Sequence, residues 1–347
     1  MTARPGTRWG TLTAALAVLA AGPAWGQATA QPASPAPAAE AKAPDAAAPP
    51  PGAMPAGTQD RTLGGHVFVP EVLVRSPFAA TSIEANIIYG SGTAKGSASA
   101  GNLVIKDDTY EFASMSQIIT YEHKIAEGIS AGGGITAELI SGIDGKSVVV
   151  MGTQIGYGLF GRFTAGQQVG PAQVAFTFDA SYGPRYGIFF LNALDIAFNG
   201  IRGDLPKTED AAFTSDNAWT LKPGASVAWA PMRQLGVTAA VDYQWISQKT
   251  SNGTNTGSAL DVGVAADWDF GAYTRTPVAL LATWHWTAPL GSSMNTSIGH
   301  VIDWSLGVFY TGRPALVLGL ELGRRSFPYR SLDTDLNLAQ LRVQYYW

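Results

Sequence analysis

The chain has 347 residues, a net charge of −4, no Cys, 40 Gly and only 14 % charged residues. Lacking Cys, it has no disulfides and no thiolate metal site, and with no Lys/Arg cluster it is not built for nucleic acid. No stretch reaches the about 18 unbroken apolar residues of a spanning helix, so an apolar surface must come from alternation instead.

The first elements are not part of a fold. Arg4 and Arg8 precede a short apolar run, "TLTAALAVLAA" (11–21), and Ala24 and Gly26 are small residues before a cut; residues 1–26 read as a signal peptide. Residues 27–60 are Ala/Pro-rich low complexity, a disordered, semi-extended periplasmic linker. Residues 61–78 read as a periplasmic lead-in with His66 in the linker region, and no apolar plug is expected ahead of the first strand.

From residue 79 one signature recurs: about ten residues alternating apolar and polar, then a break. "LDVGVAADWDF" puts Leu260, Val262, Val264, Ala266, Trp268 and Phe270 on one face, against Asp261, Gly263, Ala265, Asp267 and Asp269. A helix would mix these sets; only period two separates them. Twelve such segments run at 81–90, 110–122, 128–140, 152–165, 172–182, 218–230, 234–246, 259–270, 277–287, 298–310, 314–325 and 335–347. The segment 152–165 is the least regular and also fits a helical stripe. Short breaks follow the even-numbered segments and longer polar ones follow most odd-numbered segments.

Short turns at one end and long loops at the other define an all-β, transmembrane, antiparallel up-and-down β-barrel of about 12 strands over residues 79–347. A short helix (187–199) is expected in the longest extracellular loop. Aromatic residues near segment ends form the girdles of the two interfaces: Tyr89, Tyr182, Trp219, Trp229, Trp245, Trp268, Trp286 and Trp304. The closing "LRVQYYW" alternates Leu341, Val343, Tyr345 and Trp347 on one face.

That ending resembles the C-terminal assembly signal of Gram-negative outer-membrane β-barrel proteins. The resemblance covers the signal peptide and residues 79–347 as a pattern and points to no particular family within the superfamily. It implies a bacterial outer-membrane location, a wall in contact with lipid and lipopolysaccharide, and a last strand read by the barrel-assembly machinery before it pairs with the first.

Chemistry is thinly represented. "TSNGT" (250–254) offers Ser251, Asn252 and Gly253, but in a loop with no nearby His. His285 and the pair Asp267 and Asp269 are expected to lie far apart. His123 in a turn and His300 at a segment start have no partner at ligand spacing. No enzyme, metal or cofactor is therefore expected. The inner face carries Glu84, Glu122, Glu138, Asp179, Asp242, Asp261, Asp267, Asp269, Asp303 and Glu321, with His285, against Arg162, Lys222, Arg325 and Arg342. Charges lining a pore repel ions of like sign, so an open lumen of this composition would favour cations or small polar solutes. Paired acids and bases would instead close it. Two functions stay open. One is a narrow channel with an acidic lumen. The other is a non-conducting barrel that anchors an envelope-spanning assembly, such as secretion, polysaccharide export, motility or adhesion, and meets a periplasmic partner through its linker. An outer-membrane enzyme is a minor third.

Overall fold

The computed structural model describes residues 60–100, 103–144, 150–188, 213–250, 253–272, 274, 276–290, 300–313, 315–329 and 332–347. The signal peptide and linker expected through residue 59 and the helix expected at 187–199 lie outside these residues, except that Gly187 and Ile188 end a strand.

A small antiparallel hairpin comes first, β1 (Thr62–Leu63) with β2 (His66–Val67). Gly64 and Gly65 between them have φ of 60° and 82°, the left-handed pair that a two-residue turn matched to strand twist requires. Twelve strands then close into a barrel: β3 (Ser82–Ala100), β4 (Leu103–Ala126), β5 (Ile129–Asp144), β6 (Val150–Val169), β7 (Ala172–Ile188), β8 (Phe213–Met232), β9 (Leu235–Thr250), β10 (Gly253–Asp269), β11 (Val278–Leu290), β12 (Val301–Arg313), β13 (Leu316–Tyr329) and β14 (Leu332–Tyr346). Each pairs antiparallel with its neighbours in sequence, and β14 returns to β3 with Tyr346 opposite Ser82. All twelve alternating segments are strands of this wall, and 152–165 lies inside β6.

The wall is apolar outside and polar inside. On β12, Ile302, Trp304, Leu306, Val308 and Tyr310 are exposed, while Asp303, Ser305 and Phe309 between them are buried. β9, β10, β13 and β14 repeat the pattern. Large apolar side chains gain about 1.5–3 kcal/mol each on leaving water, and here they ring the exterior. A soluble sandwich would turn them inward. Among the described residues no helix is long and apolar enough to cross a membrane; the strands do the crossing, and closure leaves no unpaired edge in lipid.

Three stretches expected as long extracellular loops are instead mostly strand. β3 and β4 stay paired to Ala100 and Leu103, β9 and β10 to Thr250 and Gly253, and β13 and β14 to Tyr329 and Leu332. Beyond the bilayer the outer face need not be apolar, so these Gly/Ser/Thr-rich extensions lose alternation while keeping their ladder bonds. His123 likewise sits in β4 rather than in a turn, stacked on Tyr121 at 6.4 Å between ring centroids.

The larger correction concerns residues 61–81. They do not lead in from outside but pack within the barrel near its periplasmic end. Val69, Val74 and Ala80 share a buried cluster with Ala240, Ala265, Ala279, Leu281, Phe309, Val317 and Tyr346, one or two residues from each of β9 to β14. Leu63 and Phe68 pack on Ala228 of β8, with Phe78 and Ala230 alongside. The segment is a plug, and the expectation that none precedes the first barrel strand was wrong. Its burial is supplied by a wall that surrounds it, not by any periodicity of its own.

Candidate functional site

The plug is pinned by polar contacts to strands on several sides. His66 Nε2 lies 2.7 Å from Asp267 Oδ2, and its Nδ1 lies 3.0 Å from the Arg233 carbonyl; both side chains are fully buried. The same Asp267 oxygen accepts the Val69 N–H at 3.2 Å. Arg75 donates to Thr164 Oγ1 on β6 at 2.8 Å and lies 3.7 Å from Glu122 on β4. Gln173 of β7 donates to the Pro77 carbonyl, and Arg342 of β14 to that of Pro70. At the rim, Lys124 donates to Asp60 at 2.6 Å. Small wall residues make room: a Cβ on Gly236 would sit 2.5 Å from His66 Nε2, and one on Gly263 would sit 2.9 Å from Val74.

Three plug residues have shifted pKa values; burial lowers that of the Arg61 guanidinium. Burial pulls the His66 imidazolium down, but its hydrogen bond and charge contact with Asp267, aided by the Arg233 carbonyl, carry it above its ordinary value. Burial, reinforced by the negative charge of Asp267, pushes the Glu71 carboxyl up to about 8. Glu71 Oε1 and Asp267 Oδ1 are both buried without a hydrogen-bond partner. Glu71 therefore favours its neutral form at neutral pH, and His66 holds its proton more tightly than a free imidazole.

Above the plug the inner wall is laid out in rows of cross-strand neighbours. Arg162, Asp179 and Lys222 stand directly opposite one another across β6, β7 and β8, and Asp242 faces Asp261 across β9 and β10. Lys222 joins the two rows, 2.8 Å from Asp261 and 3.4 Å from Asp242; Arg162 lies 3.8 Å from Asp179. His285, Asp303 and Arg325 form a third row across β11 to β13, where Arg325 donates to both Asp303 oxygens and His285 lies 3.6 Å away. Lower down, Arg342, which also holds the Pro70 carbonyl of the plug, lies 3.3 Å from Glu84 and 3.9 Å from Glu321. Ser305 donates to Glu321 and lies 2.5 Å from Thr283.

The inner residues named from sequence thus fall into separate pairings. Glu122 and Asp267 meet the plug. Asp179, Asp242, Asp261, Asp303, Glu84 and Glu321 each meet a base of the wall. Glu138 faces inward higher on β5, and Asp269 stands at the periplasmic end, where it accepts the Gly271 N–H. Sequence reading missed the roles of Arg75 and His66 in the plug, and it placed Arg325 on the inner face without pairing it to Asp303. Ser251 and Asn252 lie outside the described residues. Among the described residues no group of three or more His, Asp or Glu is poised to hold a metal.

Outside, Trp219, Trp229, Trp245 and Trp304 are exposed and Tyr89, Tyr182, Trp268 and Trp286 half-buried, all on the outer face; Tyr182 and Trp219 meet at 4.7 Å between centroids. Trp347 stacks on Tyr121 and on Tyr345, and its N–H reaches the Thr81 carbonyl. His300, just before β12, stacks on Trp286.

No protein-family model matches the chain, and no curated protein does. Among solved structures, the barrel is similar to the translocator domain of the autotransporter NalP from Neisseria meningitidis, at 11 % identity over 77 % of this chain and 88 % of that one, with a TM-score of 0.49. It is also similar to an outer-membrane channel from Pseudomonas putida F1, at 10 % identity over 81 % of this chain and 100 % of that one, with a TM-score of 0.48. A FadL homologue from Pseudomonas aeruginosa matches at 10 % identity over 84 % and 98 %, with a TM-score of 0.42. These are likenesses of barrel architecture. The closed twelve-stranded wall, oily outside and polar within, makes this chain an integral outer-membrane β-barrel.

Proposed function

We propose that this barrel is a channel for small polar solutes, closed at its periplasmic end by its own residues 60–81. One observation carries the reading: the closing segment is separate from the wall and held there by side-chain pins, chiefly His66–Asp267 and Arg75–Thr164. A lumen meant only to be solid could be filled by its own inward side chains, as in small barrels. Here the wall keeps a charged, polar interior above a segment that can leave without breaking a strand pair. On this reading the chain moves solutes and performs no chemistry.

Planar-bilayer recording of the full chain tests it. Wild type should conduct rarely, and His66→Ala with Arg75→Ala should raise the open fraction by about tenfold or more, as expected when about 1.4 kcal/mol or more of closing free energy is lost. Silence from both proteins, each folded and heat-modifiable, would sink the channel reading. It would turn attention to an anchoring role, with the plug and the Ala/Pro stretch before it as the contact for a periplasmic partner.

A further inference from the structure

Counted from sequence, the lumen is acidic. The geometry of its ion pairs reverses what a solute would meet. In the Lys222 pairings the Lys222 side chain is 27 % exposed, against 9 % for Asp242 and 6 % for Asp261. In the Arg325 pairing the base is 40 % exposed and Asp303 is 3 %. Arg162 and Asp179 share exposure equally at 27 %. The cause is chain length. Asp carboxylates end close to the wall backbone, whereas Lys and Arg carry their charge several bonds further and reach over their partners toward the axis. In the Lys222 and Arg325 pairings the acid is thereby spent on its neighbour and the charge left facing water is the base's, whereas beside the plug Arg342 is 1 % exposed and Glu84 16 %.

We propose that the chamber above the plug selects anionic solutes, with Lys222, Arg325 and Arg162 as the residues that hold a carboxylate or phosphate group. This rests on the channel reading and narrows it to a solute class. The two guanidinium groups offer forked donors suited to planar or tetrahedral oxyanions, and Lys222 adds a point charge. Glu138, higher on β5, faces the same space and is the acid an entering anion must pass. The proposed anion preference runs opposite to the cation preference expected from counting acids.

The test uses the full chain carrying His66→Ala and Arg75→Ala, so that the plug is loosened, in a planar bilayer under a potassium chloride gradient. Chloride should be favoured, and adding Arg325→Gln or Lys222→Met should lower the chloride-over-potassium permeability ratio by about threefold or more, while Asp303→Asn keeps chloride favoured. Lys222→Met leaves two buried acids without their base, so each variant is first checked for heat-modifiable migration; Arg325→Gln, at the most exposed base, decides the matter if Lys222→Met does not fold. Conducting steps that favour potassium would overturn the proposal and leave the channel reading intact. If the loosened protein conducts nothing, the channel reading falls, and calorimetry of inorganic phosphate added to the detergent-solubilised wild-type chain decides the site. Saturable heat that Arg325→Gln weakens supports it; no saturable heat overturns it.

Discussion

The two halves of the lumen are built from the same twelve strands and solve opposite problems. The periplasmic half is filled from outside the wall, by a segment that brings Leu63, Phe68, Val69 and Val74 against small inward residues such as Ala228, Ala265 and Ala279. The half above it is lined by the wall's own long side chains, paired across neighbouring strands and half-exposed. Apolar inward residues, from Ala279 to Phe309, make a socket, and long charged ones line the half above. The difference shows that a barrel's strand number leaves its contents undecided; the polarity of each inward side chain decides them, height by height.

The strongest way to break this contrast is to remove the acceptor that holds the plug. Asp267→Leu strands the buried His66 and the Val69 N–H, and such a loss should cost about 3–5 kcal/mol of plug seating. Limited proteolysis should then cut within residues 60–81 while the barrel stays heat-modifiable; a plug as protected as in wild type would contradict the assignment of these pins. Next comes the socket itself. Phe309 lies over Gly319, where an added Cβ would fall 2.0 Å from its ring. Gly319→Ala should expel Phe309 from the plug cluster and lower stability by about 1–3 kcal/mol, read as a drop in Tm.

Alkaline pH should loosen the plug more gently. Both His66 and Glu71 have values raised in the folded protein, from 6.5 and 4.5 respectively. Their contribution is therefore complete below those ordinary values and is lost as pH rises, for Glu71 through about 8. Protease sensitivity of residues 60–81 should climb across that range, and Glu71→Gln should flatten the climb; a profile that rises toward acid would contradict the sign. Smallest of all is the rim pair. Lys124→Ala removes a bond to Asp60 at a partly exposed site, worth about 1 kcal/mol or less, and plug protection should barely change.

The wall was legible because period two has one cause. Residues 260–269 alternate since one side meets lipid and the other does not, and nothing else asks for that pattern. Strand length was less legible for the same reason. Once the chain rises above the bilayer, stretches such as "GSGTAKGSASA" need only their ladder bonds, and the oily signature lapses. The plug was hidden further. His66 finds its partner 201 residues away, and Arg75 finds Thr164 at a separation of 89; no local pattern announces such pairs. The one local signal was "LGGH", a two-glycine turn followed by Val67, Phe68 and Val69, which marks an ordered hairpin where the composition upstream marks a linker. Charge type could be counted from sequence, but which partner of each ion pair faces water depends on reach across the register.

The hydrogen bond from Arg342 to the Pro70 carbonyl has a consequence in time. It joins residues 272 positions apart, so one of the first ordered segments to leave the ribosome waits on one of the last for its seat. Contacts of such separation form late, because the intervening chain must be organised first. Most of the apolar socket likewise comes from β9 to β14. Until β14 meets β3 there is no enclosure for the plug to occupy. Sealing is thus coupled to completion: a barrel stalled before its last strand is an unstoppered one, and closure of the wall and closure of the lumen arrive as a single event.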